Sequence, residues 1–174
     1  MKKALLVGIT MVFCIVAMGQ SMTEEEIDHK ADIILKIIQF GEWPESAKTG
    51  ADGKFVIHVV GESPLTPRLE ALAKEKSAGG APIVVKVVSI EDDIAACQIL
   101  FMATKETADL AKILKKVDGK PCFTVSDAEY FARYGVMVNF VEVDGKTKFE
   151  VNRTTMKMSG LKMSSKMLKM AVII

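Results

Sequence analysis

The feature that most constrains this chain is a series of four short apolar runs separated by helix-like segments. The runs lie at residues 55–60, 83–88, 99–102 and 122–125. They are nearly continuous rather than alternating, which is typical of strands that are covered by helices on both faces. Strands and helices that alternate in this way predict an α/β fold in which helices flank a mostly parallel sheet.

Further segments extend this alternation at its two ends. Thr23 and Glu26 form a capping box, and apolar residues follow at helical spacing, so we expect the chain to open with a helix. Asp144-Gly145 is a strong signal for a C-terminal antiparallel β-hairpin. The hairpin strands are expected at residues 136–143 and 146–151, a short helix at residues 128–134, and a terminal helix at residues 164–171.

The N-terminus has the three parts of a cleavable signal peptide. Two lysines precede an uncharged apolar run over residues 4–17, and Ala17-Met18-Gly19 gives the small-x-small pattern of a cleavage site. The run is shorter than the roughly 20 residues that span a bilayer, which argues against an uncleaved transmembrane anchor. We therefore expect residues 1–19 to be removed on export to the periplasm, and residues 20–174 to form a single domain.

The charge balance excludes several classes of partner. The formal net charge is +1, and loss of Lys2 and Lys3 with the signal peptide leaves the mature chain at −1. A charge so close to zero argues against nucleic acid, which requires a basic surface, and no polybasic segment indicates anionic lipid. His29 and His58 are the only histidines, and neither has a second ligand at a metal-binding spacing. We therefore expect no metal and no other cofactor.

Cys97 and Cys122 are the cysteines that remain after removal of the signal peptide. An oxidising compartment permits a disulfide between them, and an even number of cysteines is compatible with one. Both border apolar runs, where a free cysteine is often a small buried hydrophobic residue, and this is the interpretation we favour. The sequence leaves both states open, because it cannot bring the two Cα atoms within bonding distance.

Small and polar residues follow three of the predicted strands. Gly61, Thr104 and Ser126-Asp127 should meet at the carboxyl edge of the sheet, where open α/β sheets place ligands. One interpretation is a small-molecule binding site at this edge, and the one we favour is that these residues cap helices and turns. A hydrolase is a third interpretation. No catalytic motif is present, however, and neither histidine is placed to serve Ser126 as a base, so we expect no enzyme activity.

Trp43 and a stripe of methionines are candidates for contacts with a partner. Tryptophan is enriched at binding hot spots, although a single tryptophan after an amphipathic helix more often packs on its own domain. Met163, Met167 and Met170 recur at helical spacing. We favour a flexible filler face on the core over a partner groove for these three side chains, and a methionine-rich metal site is a remote third interpretation.

Several motifs occur in a fixed order along the mature chain. They include residues 37–44 (IIQFGEWP), 59–64 (VVGESP), 96–101 (ACQILF), 119–127 (GKPCFTVSD), 149–152 (FEVN) and 160–165 (GLKMSS). In this order and spacing they resemble the YfiR-like family of periplasmic proteins, over about residues 30–171. Gln98 stands where that family usually has a histidine, and Cys122 stands where it has an apolar residue.

The resemblance implies a signalling function. The family's namesake is a periplasmic repressor that holds a membrane diguanylate cyclase inactive through the periplasmic sensor portion of that enzyme. Release of the repressor raises cyclic-di-GMP and favours biofilm formation. By resemblance we expect an α/β sandwich that binds and represses a membrane signalling protein, either a diguanylate cyclase or a sensor kinase. The namesake has disulfide-forming cysteine pairs and forms dimers, so a homodimer is a further expectation.

Overall fold

The computed structural model describes residues 22–174, so the predicted signal peptide lies outside the described residues. The helices are α1 (Glu24–Phe40), α2 (Leu65–Glu75), α3 (Thr107–Val117), α4 (Arg153–Met158) and α5 (Ser165–Leu168), and 3₁₀ turns lie at Glu45–Ala47 and Phe131–Tyr134. The strands are β1 (Gly41–Glu42), β2 (Phe55–Val60), β3 (Ser77–Ala78), β4 (Ala81–Val88), β5 (Ile99–Met102), β6 (Phe123–Ser126), β7 (Val138–Val143), β8 (Lys146–Val151), β9 (Lys162–Met163) and β10 (Val172–Ile173). No helix within this part of the chain is long and apolar enough to cross a membrane.

The strands form one large sheet and one small sheet. The large sheet has eight strands in the order β10-β8-β7-β6-β5-β2-β4-β3. From β4 through β2, β5 and β6 to β7, all neighbours are parallel. β8 turns back antiparallel to β7, β3 is antiparallel to β4, and β10 is parallel to β8. The prediction of a mostly parallel sheet with a C-terminal antiparallel hairpin is confirmed, and β1 with β9 forms a separate antiparallel pair.

Helices cover both faces of the large sheet and produce two hydrophobic cores. On one face α1 and α2 contribute Ile34 and Leu69, which belong to the same buried cluster as Ile57 of β2. On the other face α3 contributes Leu110, which belongs to a second cluster with Val56 of β2. Burial on both faces explains why the strands are continuous apolar runs.

Two local sequence signals are confirmed, the capping box at Thr23 and the hairpin turn at Asp144-Gly145. The hydroxyl of Thr23 accepts a hydrogen bond from the backbone N–H of Glu26 at 3.2 Å, which starts α1 as the capping box predicts. Asp144 and Gly145 have φ angles of 54° and 68°. Positive φ at both central residues is what a two-residue hairpin of type I′ requires.

Two predicted helices are shorter than the sequence indicates. Of residues 128–134 only Phe131–Tyr134 is helical, as a 3₁₀ turn, because Tyr130 adopts a left-handed backbone with a φ of 65°. Of residues 164–171 only Ser165–Leu168 is helical, because the chain then leaves the helix to pair beside β8 as β10. α4, which precedes this segment, was not expected from the sequence.

The methionine stripe contributes mainly to the core. Met163 and Met167 are buried in the cluster beneath α1, whereas Met170 is 47% exposed. The filler interpretation is therefore confirmed for the first two side chains and is wrong for the third.

Candidate functional site

Gly61 and Thr104 lie at the carboxyl ends of two neighbouring strands, β2 and β5. Gly61 has a φ of +88°, and a Cβ atom there would lie 3.5 Å from the side chain of Ala103, so glycine allows a tight turn beside the next strand. The hydroxyl of Thr104 donates to Asp109 Oδ2 at 3.3 Å and accepts from the backbone N–H of Glu106 at 3.1 Å. Thr104 therefore organises the turn that leads into α3.

Ser126 is the last residue of β6 and is completely buried. Its hydroxyl donates to the carbonyl oxygen of Met102 on β5 and accepts from the backbone N–H of Ala128, both at 3.2 Å. These two bonds tie the end of the strand to the turn that follows. The two histidines each contact a backbone carbonyl oxygen elsewhere, so neither is the base that a serine nucleophile needs.

Asp127 is held in place by α1. Its Oδ2 lies 3.2 Å from Lys30 Nζ, which also pairs with Glu26 Oε1 at 2.8 Å. The side chains of Lys30 and Asp127 are only 7% and 12% exposed. The ammonium group also lies 5.8 Å from the centroid of the Phe140 ring. Because a buried charge must be paired, α1 closes this part of the carboxyl edge with the protein's own charges.

The four predicted residues at the carboxyl edge therefore lie at the ends of neighbouring strands. The hydroxyls of Thr104 and Ser126 each accept from the backbone N–H two residues further on, which is the arrangement that the capping interpretation predicts. Asn139 lies opposite Ser126 on β7, and its amide nitrogen donates to the carbonyl oxygens of Ala128 and Phe140. Its Oδ1 is buried without a hydrogen-bond partner.

Trp43, the fifth predicted residue, lies at the opposite, amino edge of the sheet. Its ring packs edge-on against Phe55 of β2, with 5.2 Å between ring centroids, and against Phe123 of β6, with 5.0 Å. Its Nε1 donates to the carbonyl oxygen of Gln98 at 3.2 Å. Trp43 thus packs on its own domain and ties the chain after α1 to the beginnings of the central strands.

Gln98 bridges two segments at the same edge. Its Oε1 accepts from the backbone N–H of Val56 at 2.7 Å, and its Nε2 donates to the carbonyl oxygen of Ala47 at 3.2 Å. The residue is buried, and an amide side chain provides both the donor and the acceptor that this position uses. Sequence reasoning noted Gln98 only as a replacement for histidine. A polar residue at the border of an apolar strand was the available signal of its bridging role.

Cys97 and Cys122 lie together just before β5 and β6. Both are free and buried, and their Sγ atoms are 3.3 Å apart. Cys97 Sγ donates to the carbonyl oxygen of Ile94 at 3.2 Å, and the same oxygen lies 3.2 Å from His58 Nδ1. The imidazole is therefore beside the thiol pair. Within residues 22–174 no three His, Cys, Asp or Glu side chains are grouped so as to hold a metal ion.

The two thiols have opposite acidities. Burial opposes ionisation of Cys97, but hydrogen bonds with Cys122 and His58 outweigh it and lower the pKa of Cys97 from 9.0 to about 6. The hydrogen bond with Cys97, together with burial, raises the pKa of Cys122 well above its usual range. Burial disfavours the cationic form of His58, yet its contact with Cys97 raises the pKa of His58 overall. Cys97 is therefore the more acidic of the two thiols.

A surface groove of about 420 Å³ adjoins this pair at the amino edge. Its lining includes Cys97 and Gln98, with Asp52, Lys86 and Lys120 as charged neighbours. Cys122 is not part of the lining and is 1% exposed. Cys97 is itself only 6% exposed, so the groove adjoins the buried pair on the Cys97 side.

A separate apolar surface is formed by α3, the 3₁₀ turn at residues 131–134 and α4. It consists of Leu110, Ala111, Leu114, Tyr134 and Met158, and we name it the Tyr134–Met158 surface. Two cavities of about 400 Å³ and 230 Å³ lie along it and share Leu114. Tyr134 is 62% exposed and Met158 is 75% exposed. Large apolar side chains at such exposure mark a surface that is available for contact.

A sequence profile of YfiR/HmsC-like proteins matches residues 28–172, nearly the whole described chain. The chain belongs to the YfiR/HmsC-like family. No curated protein matches it significantly. Membership of this family suggests a periplasmic regulator, which is the role that the resemblance of the motifs implies.

Two solved structures share the fold of this YfiR/HmsC-like chain. The ABC domain of Streptococcus pneumoniae in complex with L-Trp has a TM-score of 0.55 and 12% identity, over 85% of this chain and 60% of that one. A conserved domain protein of Vibrio cholerae O1 biovar eltor has a TM-score of 0.54 and 12% identity, over 84% of this chain and 59% of that one. The chain thus spans about 60% of the length of each structure. At this identity the likeness concerns the fold alone.

Proposed function

We propose that this protein binds the periplasmic portion of a membrane diguanylate cyclase and represses the enzyme. Membership of the YfiR/HmsC-like family supports a periplasmic regulator. The observation that carries the proposal is the exposed Tyr134–Met158 surface, because a regulator without a catalytic site must act through contact with its partner.

The composition of this surface suits a protein partner. Aromatic residues and methionine are enriched in protein interfaces, and methionine adapts to the shape of the partner. The charged neighbours of this surface have both signs. Arg133 belongs to the 3₁₀ turn that ends at Tyr134, and Asp118 lines the smaller cavity. The apolar side chains therefore carry the proposal.

Repression follows if the protein binds one conformation of the cyclase more tightly than the other. A regulator with equal affinity for both conformations would not change the equilibrium between them. A preference of about 1.4 kcal/mol for the inactive conformation is enough for a tenfold shift of the equilibrium. The regulator therefore needs no chemistry of its own.

The proposal is tested with membranes that contain a diguanylate cyclase from the same genome. The exported protein is added, and both its binding to the solubilised cyclase and the synthesis of cyclic-di-GMP are measured. We expect saturable binding and reduced synthesis. Both effects should disappear when the periplasmic portion of the cyclase is deleted. Binding to none of the cyclases of that genome contradicts the proposal.

A matched pair of variants tests the surface. The double variant Tyr134→Ser/Met158→Ser removes its two large exposed side chains, and we expect at least about a tenfold loss of affinity. The control is Val87→Ser, which removes another exposed apolar side chain, 58% exposed, from β4 at the far side of the sheet. Equal binding by the two variants contradicts the choice of surface, while loss of repression in the double variant alone supports it.

A further inference from the structure

The thiol pair at the amino edge is not used by the proposed function. Cys97 and Cys122 are free, and their sulfur atoms are in contact at 3.3 Å. A disulfide bond requires about 2.05 Å between sulfur atoms, so a small movement of two side chains separates the two states. The contact lies before the parallel strands β5 and β6, which are paired from Ile99 and Phe123 onwards. The strand register therefore brings the thiols together.

The two cysteines differ in their relation to the groove. Both are buried, with 6% of Cys97 and 1% of Cys122 exposed, but only Cys97 lines the groove of about 420 Å³. An external reagent that enters through the groove therefore meets Cys97 before Cys122. The lining also includes a carboxylate and two ammonium groups, those of Asp52, Lys86 and Lys120.

The surroundings of Cys97 favour its thiolate. Cys122 Sγ lies 3.3 Å from Cys97 Sγ, and the imidazole of His58 contacts the same carbonyl oxygen of Ile94 as Cys97 does. Both neighbours lower the pKa of Cys97 and oppose the effect of burial on it. Lys86, Lys120 and Asp52 face the groove beside it. The thiolate is the nucleophile in disulfide exchange, so the lowered pKa makes Cys97 the more reactive of the two thiols.

The geometry points to a disulfide-exchange site in which Cys97 attacks a low-molecular-weight disulfide of the glutathione type and Cys122 then closes an internal bridge. In the first step Cys97 sulfur bonds to one sulfur of the external disulfide, the external bond breaks, and one thiol leaves with a proton. In the second step Cys122 loses its proton and attacks Cys97 sulfur, and the second external thiol leaves with that proton. Two protein thiols are oxidised, and one external disulfide is reduced to two thiols.

The bridge would enclose a defined part of the fold. The segment between Cys97 and Cys122 contains β5, α3 and the turn into β6. α3 contributes Leu110, Ala111 and Leu114 to the Tyr134–Met158 surface. Cys122 stands where the family pattern has an apolar residue, so the pair is a feature of this chain rather than one carried over by the resemblance.

The experiment uses protein purified after expression of the full chain, reduced and then freed of reductant. The folded protein is incubated with glutathione disulfide at pH 7 and followed by intact mass. We expect the loss of the mass of two hydrogen atoms and of both alkylatable thiols. In Cys122→Val, which restores an apolar residue, we expect the reaction to stop with one glutathione attached at Cys97. In Cys97→Ser we expect Cys122 to react at least about tenfold more slowly than Cys97 does in the wild type.

Wild-type protein provides a test that does not depend on the folding of a variant. A short pulse of iodoacetamide followed by peptide mapping should label Cys97 at least about tenfold faster than Cys122. The labelling rate should rise with pH and be half-maximal near pH 6, the pKa of Cys97, and His58→Gln should move this midpoint upward. Retention of both thiols by folded wild-type protein, or faster labelling of Cys122, overturns the proposal.

Discussion

At the carboxyl edge of the sheet Asp127 faces Lys30, and the hydroxyl of Ser126 is used by two backbone groups. At the amino edge a thiol pair lies beside a histidine and opens on one side to a groove. At the first edge the polar side chains are paired within the protein, whereas at the second a buried cysteine lines a surface groove. In this protein the thiol pair therefore lies at the end of the strands opposite to the edge where α/β folds usually bind ligands.

The largest expected effect on stability comes from removing one partner of the buried ion pair at the carboxyl edge. Lys30→Met removes the ammonium that pairs with Asp127, whose side chain is 12% exposed. A carboxylate left in such a site without its partner costs about 3–5 kcal/mol, so the free energy of unfolding should fall by that amount in urea titrations at pH 7.

Lys36→Met is the matched control for Lys30→Met. Lys36 pairs with Asp32 at 2.6 Å on the same helix, but these side chains are 37% and 56% exposed. Exposed pairs contribute about 1 kcal/mol or less, so the control should lose little stability. Equal losses in the two variants would mean that the carboxyl edge is not held by a buried charge.

The next largest effect on stability is expected at the amino edge, from a disulfide bridge between Cys97 and Cys122. A disulfide that closes a loop of this length stabilises a protein by about 3 kcal/mol, chiefly by restricting the unfolded chain. Oxidised wild-type protein should therefore unfold at a higher urea concentration than reduced protein. Cys122→Val should show no difference between oxidising and reducing conditions. A bridge that forms without raising the midpoint contradicts this expectation.

Trp43 should have a somewhat smaller effect, on stability rather than on recognition. Trp43→Ala loses two aromatic contacts and a hydrogen bond, and because the side chain is only partly buried we expect a loss of about 2–3 kcal/mol. Trp43→Phe keeps an aromatic ring but loses the N–H donor, which should lower the free energy of unfolding by about 1 kcal/mol. If Trp43→Ala instead keeps the stability of the wild type but no longer binds the cyclase, Trp43 contacts the partner. Its role at the amino edge is then recognition rather than stability.

The smallest expected effect on stability is that of Ser126→Ala, and it distinguishes a structural role of the carboxyl edge from a role in ligand binding. Ser126→Ala leaves the backbone N–H of Ala128 without its acceptor, which should cost about 1–2 kcal/mol in urea unfolding. Ser46→Ala, at an exposed serine, should change stability by less than about 0.5 kcal/mol. A small molecule that stabilises the wild type against heat but not Ser126→Ala would restore the binding-site interpretation of this edge.

Much of the fold follows from local patterns. The continuous apolar runs predict the parallel strands, and Thr23 and Asp144-Gly145 predict the start of α1 and the hairpin turn. The failures have a common cause. The segment ending at Tyr134 and the segment after Ser165 have helical composition, but a left-handed Tyr130 and the pairing of β10 with β8 override that preference. Tertiary hydrogen bonds outweigh propensities that amount to less than about 1 kcal/mol per residue.

The candidate site was less predictable than the fold. Gly61, Thr104 and Ser126 could be placed at one edge, because parallel strands align their carboxyl ends. The role of Gln98 and the position of Trp43 depend on contacts between segments more than 40 residues apart, such as Val56 with Gln98 and Trp43 with Gln98. No spacing along the chain encodes such contacts.

By itself the sequence determined the class of fold, the family and the near-neutral charge of the chain. Burial on two faces, turn chemistry and composition depend on neighbouring residues and can be read from local patterns. Only the tertiary structure decided which polar groups meet. Lys30 reaches Asp127 across 97 positions, and Cys97 reaches Cys122 across 25. Contact between such groups depends on strand register and helix packing, which are set by the whole core at once.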